Sequence, residues 1–299
     1  MMDQRLRRHA LGFWQVVNKP TDSELSDYYT NKYYQSETGN YRLSYPPDEA
    51  AVFAFRIAQR AARAAEIRNT DIAGRLLDVG CGEGFVLAAF AAQGWEVEGI
   101  DHSRAGVDAM NPEQSSVVEQ GNLFDLLERK IESASTYDLV WLGNVLEHVV
   151  DPIGLMSSLR RIVSSTGLLI VTVPNDGNDY QEGLFDDGQI HERFWIAIPD
   201  HISYFTADSI TRIGEETGWD CADLQGDFPI DFFLAHPGSN YVKDRTNGPS
   251  AHAARLRLEK LIADCGHGAA NAFYSALARV GLGRNVTAFF TPNDLGSSP

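Results

Sequence analysis

The residues best able to do chemistry stand close together, as Asp78, Gly80, Cys81, Gly82, Glu83 and Gly84, followed about twenty residues later by Asp101. The apolar run Leu76 to Val79 ends in this glycine turn and a helical pattern opens at Phe85. A strand, a turn and a helix in that order form the unit at which doubly wound sheets hold ligands. Glycines let the backbone approach a ligand closely, and Asp101, closing the apolar run Trp95 to Ile100, stands where such folds hold a ribose diol. The spacing Gly80-x-Gly82-x-Gly84 differs from the dinucleotide pattern Gly-x-Gly-x-x-Gly, which offers amide N–H groups and a helix N-terminus to a pyrophosphate. Asp78 and Glu83 would repel a pyrophosphate and attract a cation. The chemistry implied is the binding of a ribose-bearing cation without phosphates, which opposes a nicotinamide oxidoreductase.

S-adenosylmethionine (SAM) has a ribose, a sulfonium and an ammonium and no phosphate. Here the sequence resembles the class I SAM-dependent methyltransferases, whose first motif has the form Asp-x-Gly-x-Gly-x-Gly. Later segments are similar to that family in order. Val117 to Asp125 resembles the third motif, with Asn122 where the family more often has an Asp near adenine. Tyr137 to Val149 resembles the fourth, a strand ending near the transferred methyl, and Gly167 to Asn175 resembles the fifth strand. The resemblance spans about residues 70 to 225. It implies SAM as cofactor, S-adenosylhomocysteine as product, and cofactor contacts from Asp78, Gly80, Cys81, Gly82, Asp101, His102, Asn122, Leu123 and Asn144.

Methyl transfer from a sulfonium is an in-line displacement, so an enzyme mostly supplies alignment, together with a base where the acceptor must lose a proton. Histidine titrates near neutrality and suits that work. His148 follows the fourth-motif strand and His201 leaves a long polar segment at the carboxyl edge of the sheet, so both are the candidate catalytic residues. Asn144-Val145-Leu146-Glu147-His148 also resembles the Glu-x-x-Glu-His metal motif of some O-methyltransferases of quinone and small-RNA pathways. Helical spacing would put 144, 147 and 148 on one face, with His201 completing an O/N set. Asn144 in place of the first Glu removes a charge, so the expectation is a site without metal and metal-assisted transfer through Glu147, His148 and His201 is the alternative. A non-catalytic SAM-binding subunit is the other, and the polar histidine-bearing segment argues against it.

The elements that must position these residues are those of an α/β fold. The expected architecture is a doubly wound, seven-stranded, mostly parallel sheet with an antiparallel last strand, an N-terminal helical lid and a helical insertion before the last strand. Residues 1–70 carry the aromatic cluster that suggests the lid, with Tyr33 and Tyr41 proposed to face substrate, and a helical pattern from Asp48 to Arg68. Residues 71–229 form the Rossmann-like cofactor core, with a substrate loop at 176–203 that offers His191 and, just beyond it, Tyr204. Residues 230–299 supply two helical patterns and the final strand, Asn285 to Thr291. At 43% hydrophobic content a chain of 299 residues can build a full core.

A net charge of −16 opposes a nucleic-acid backbone as partner, since phosphate binding needs a basic face. The stretch Ala10 to Val17 after Arg5, Arg7 and Arg8 imitates a signal peptide, but Trp14 and Gln15 interrupt it. No run reaches the roughly 20 apolar residues of a membrane span. Three widely spaced cysteines suggest neither a disulfide framework nor a zinc site, which fits a reducing cytoplasm. The aromatic lid and polar loop suit a hydroxylated or amino-bearing small molecule. The pattern including Tyr41 to Tyr45, His201 to Phe205 and Gly283-Arg284-Asn285 resembles small-molecule methyltransferases of polysaccharide and natural-product pathways. That implies a sugar or natural-product acceptor, with O-methylation favoured.

Overall fold

The computed structural model describes residues 3–21, 24 and 45–293. Its main sheet has seven strands: β3 (Arg75–Val79), β4 (Glu96–Asp101), β5 (Val118–Gln120), β6 (Tyr137–Gly143), β7 (Val163–Pro174), β9 (Trp219–Gly226) and β10 (Asn285–Pro292). They run in the order β5-β4-β3-β6-β7-β10-β9. Neighbours from β5 to β7 are parallel, while β10 pairs antiparallel with both β7 and β9. Strands covered on both faces read as continuous apolar runs, and Leu168 to Val171 are fully buried. Alternate residues serve opposite faces, so Leu77, Val79, Leu142 and Val171 enter one core cluster while Leu76, Leu139 and Ile170 enter another. The chain leaves β3 toward β4 on one side and returns to β6 on the other. That reversal opens a crevice at the carboxyl ends of β3 and β6, where doubly wound sheets bind ligands.

Helices cover both faces. α1 (Pro47–Arg68) starts with proline in its first turn beside Asp48 and Glu49 and stops at Asn69 in a left-handed conformation. α2 (Phe85–Ala91) and α3 (Ala105–Met110) follow β3 and β4, and α4 (Leu123–Glu132) and α5 (Pro152–Arg160) follow β5 and β6. The residues after β7 hold α6 (Asp179–Asp186), so the expected polar loop is partly helical, and then β8 (Ser203–Tyr204). α7 (Ala207–Glu216) is opened by a capping box between Thr206 and Ser209. Thr206→Ala should lower the free energy of unfolding by about 1 kcal/mol in a urea titration, through loss of that cap. α8 (Gly248–Asp264) and α9 (His267–Arg279) form the helical insertion before β10, as the sequence suggested. They are tied to α1 by Arg56–Glu259 and by the buried group Gln59, Gln225 and Asn271.

The expected N-terminal helix is α1, and ahead of it lies a hairpin that the sequence did not suggest. β1 (Leu6–Arg8) and β2 (Trp14–Val16) form an antiparallel hairpin, and β2 adds β8 as a third strand. The physical reason lies in the stretch that imitated a signal peptide: Phe13 and Val16 are buried, while Leu6 and Trp14 pack in the cluster around Trp195 and Ile202. The hairpin therefore braces the segment bearing His201. The proposed lid tyrosines Tyr33 and Tyr41 lie outside the described residues. Among the described residues no helix is long and apolar enough to cross a membrane.

Candidate active site

The glycine turn is a cradle organised by β4. Gly80, Gly82 and Gly84 all have positive φ, and a side chain on Gly80 would also run into Val145. The amide of Gly80 donates to the carbonyl of Ile100 at 2.8 Å. Asp101 accepts from the Gly82 amide through Oδ2 and from the Ser103 amide through Oδ1, each at 2.9 Å. Its carboxylate thus sits at the carboxyl end of β4 with the turn wrapped against it. Tyr45 donates its hydroxyl to Glu83 Oε1 at 3.1 Å and brings the chain preceding α1 onto the same turn.

Asp78 is 3% exposed, and burial, then the nearby Asp101, pushes its carboxyl up to about 8. Two acids share this crevice, a setting that favours a cation. Cys81 is buried, and burial above all raises its thiol far beyond the usual range, so it is no nucleophile. Asn122 is the N-cap of α4, its Oδ1 accepting from the amides of Phe124 and Asp125. Leu123 points into the core, which leaves its backbone as the part able to meet a ligand. His102 is exposed beside Asp101. Asn144 is exposed just beyond β6 with φ 55° and its amide bonded to the carbonyl of Thr172 at 2.8 Å.

That left-handed turn overturns one expectation. Asn144, Glu147 and His148 do not share a helical face, because the positive φ at 144 breaks the chain and only Leu146–His148 form a 3₁₀ turn. The histidines nonetheless meet. Ligand atoms of Glu147, His148 and His201 all lie within 4.8 Å of one another, and the two rings stand edge to face, 4.9 Å between centroids. His148 Nδ1 lies 2.7 Å from the carbonyl of Asp200. A carbonyl only accepts, so in the neutral ring Nδ1 carries the proton and Nε2 is the basic nitrogen.

Carboxylates surround the pair. Glu147 Oε1 is 3.8 Å from His148 Nε2, Asp176 Oδ2 is 3.6 Å from His201 Nδ1, and Asp200 Oδ2 is 4.0 Å from His201 Nε2. Burial opposes the charged form of His201, but Asp176, Glu147 and Asp200 outweigh it and hold its pKa above the ordinary histidine value. Burial raises the Glu147 carboxyl against the opposing pull of His148 and His201. Glu147 Oε2, Asp176 Oδ2, Asp200 Oδ1 and His201 Nδ1 are all buried without a hydrogen-bond partner among the described residues. Sequence reasoning missed Asp176, Asp200 and Arg284 here. The available signals were an acid just after a strand's carboxyl end and an acid directly before a histidine.

The two proposed substrate contacts in this region, Tyr204 and His191, sit in different settings. Tyr204 is 2% exposed, its ring sits in the cluster around Trp195, and its hydroxyl donates to the carbonyl of His201 at 3.0 Å, so it anchors the loop from behind. The His191 side chain is 61% exposed and lies 3.9 Å from Glu192, on the outside of the loop. The loop is held in place from two directions: the amide of Ile202 donates to the carbonyl of Glu147 and that of Val16 to the carbonyl of Ile202. Lys19 Nζ, just beyond the hairpin, donates to the carbonyl of Val150 at 2.6 Å, so the N-terminal segment touches both histidine-bearing segments.

Comparison with known proteins identifies the family. A family model described as a methyltransferase domain matches residues 51–224. A ubiquinone biosynthesis O-methyltransferase of Aeromonas salmonicida is 26% identical over 155 residues, 51% of this chain and 65% of the relative. Its counterpart from Nitrosomonas europaea is 34% identical over 105 residues, 33% of this chain and 43% of the relative. The chain thus spans less than two thirds of the length of these relatives. A solved SAM-dependent methyltransferase from Archaeoglobus fulgidus is 18% identical with a TM-score of 0.49, over 82% of this chain and 99% of that one.

Proposed function

The chain belongs to the family of methyltransferase domains, with S-adenosylmethionine as its cofactor, and from that premise we propose that it methylates an oxygen of a small molecule. The observation that carries the reading is the meeting of His148 and His201, His148 following Val145, whose side chain closes on Gly80 of the cradle. When bound, SAM supplies a sulfonium methyl open to in-line attack. Asp101 would hold the ribose diol and Asp78 the ammonium, with Gly80, Gly82, Asn144 and the amide of Leu123 shaping the cleft. His201 or His148 would take the acceptor's proton as the oxygen attacks, which makes the neutral ring the active form.

The acceptor we favour is a hydroxylated sugar or natural-product intermediate. The O-methyltransferase names of the relatives support oxygen as the nucleophile. The acidic balance of the chain speaks against nucleic acid, and the unpaired Cys81, Cys221 and Cys265 fit a cytoplasmic setting. A second reading is favoured by the buried, unpartnered oxygens around the histidines: Glu147, His148 and His201 would hold a divalent ion, which would supply Lewis acidity for the acceptor oxygen. The test of the function is transfer of labelled methyl from SAM to a panel of sugars, phenols and amines. Methylation of amines alone would overturn the O-methyltransferase reading.

Asp78 gives this reading a pH signature. Its folded pKa of about 8 lies above the ordinary value of 3.8, so its contribution to stability is complete below about 4 and is lost as pH rises through 8. A cationic ligand reverses the preference. Binding S-adenosylhomocysteine at pH 6.5, where its ammonium is charged, should release close to one proton, seen as calorimetric heats that vary with buffer ionisation enthalpy. Asp78→Asn should abolish that release and raise the melting temperature of the ligand-free protein at pH 9. Heats independent of buffer would remove Asp78 from the ammonium site.

A further inference from the structure

A line of charged groups stands behind His201. Asp176, 1% exposed, gives one carboxylate oxygen to Arg284 Nη1 at 2.6 Å and turns the other toward His201 Nδ1. Those last two atoms, 3.6 Å apart, are both buried and otherwise without a partner among the described residues. The backbone around them is pinned. The amide of Asp176 donates to the carbonyl of Phe205, the amide of Asn175 to that of Arg284, and Asn175 Nδ2 to those of Gly281 and Gly283. Arg284 also lies over the ring of Phe194 and faces Asp231, itself held by Gln181 and Tyr241. An ion pair needed only to join β7 to β10 could spend both carboxylate oxygens on Arg284. This one leaves an oxygen aimed at an imidazole.

We propose that Asp176, clamped by Arg284, is the positioning residue of His201. It accepts the Nδ1 proton at the slightly longer distance typical of unliganded sites, fixes the ring in the Nδ1–H tautomer, and so presents Nε2 to the acceptor. The same orientation serves a proton-accepting ring and a ligating one, since either needs one nitrogen committed to a carboxylate. The relevance to catalysis rests on the role given to His201 above, whereas the ring's tautomer does not.

The experiment has two arms. In the first, ¹⁵N-histidine NMR of the full chain at alkaline pH reads the His201 tautomer, assigned by its disappearance in His201→Gln. The expected result is Nδ1–H in the wild type and loss of that preference in Asp176→Asn. In the second, Asp176→Asn should lower kcat by about 10–100-fold with SAM affinity within twofold of wild type, and Asp176→Glu should recover part of the loss. The wild-type tautomer needs no variant, so a folding failure of Asp176→Asn leaves the test intact. An Nε2–H ring in the wild type, or unchanged kcat in folded Asp176→Asn when His201→Ala does lose activity, overturns the proposal. Full activity in His201→Ala together with an Nδ1–H ring would instead refute the catalytic role while leaving the positioning intact.

Discussion

His201→Ala is expected to lower turnover by about 10²–10⁴-fold while the dissociation constant for S-adenosylhomocysteine holds, because removing a general base costs that much and the cofactor cradle lies on other residues. His148→Ala separates the two rings. If His201 is the base, His148→Ala should have the smaller effect, through loss of its bond to the carbonyl of Asp200 and of its packing against the His201 ring. The pH profile has a defined sign. The three carboxylates around His201 raise its pKa above 6.5, so the neutral ring forms later and the rate should rise with pH through a value above 6.5. A chelator should leave the wild type active, since Asn144 brings no charge and does not share a helical face with Glu147 and His148. Loss of turnover on chelation, restored by magnesium or zinc and abolished by Glu147→Gln, would make these residues metal ligands.

Local chemistry made the glycine turn between strand and helix legible in the sequence. A strand ending in Gly80-x-Gly82-x-Gly84 needs residues tolerant of positive φ, and all three glycines adopt it. Asp101 closes its strand, as the apolar run before it implied, and it also receives the amide of Gly82, which the sequence did not suggest. The strands were readable because burial on both faces demands apolar runs, and β10 because its run is as apolar as the others.

What escaped was decided by contacts far apart in the chain. Leu6 to Val16 is short and mixed in character, and only pairing with β8, nearly two hundred residues later, makes it a hairpin. Tyr204 offers a polar tip, and tertiary packing directs that tip to the carbonyl of His201, which no local pattern announces. Helical spacing failed at Asn144 since the positive φ there has no signature in apolar periodicity. Asp176 and Arg284 are separated by more than one hundred residues and meet only because β10 inserts beside β7.

Asp101→Ala carries the other large expectation, a loss of about 1.5–3 kcal/mol in cofactor binding, the range for charge-assisted hydrogen bonds. That corresponds to roughly 10- to 150-fold weaker affinity for S-adenosylhomocysteine by calorimetry. Two losses combine in it. The carboxylate is the proposed acceptor for both ribose hydroxyls, and it also holds the amides of Gly82 and Ser103, so the cradle loosens when it is removed. Asp101→Asn tells them apart, because an amide oxygen can still hold one backbone N–H while its NH₂ group can no longer accept a diol proton. Affinity in Asp101→Asn close to that of Asp101→Ala points to the diol. Affinity close to wild type in both variants would remove the ribose from this carboxylate, and measurable binding of NAD in place of S-adenosylhomocysteine would contradict the charge argument that begins with Asp78.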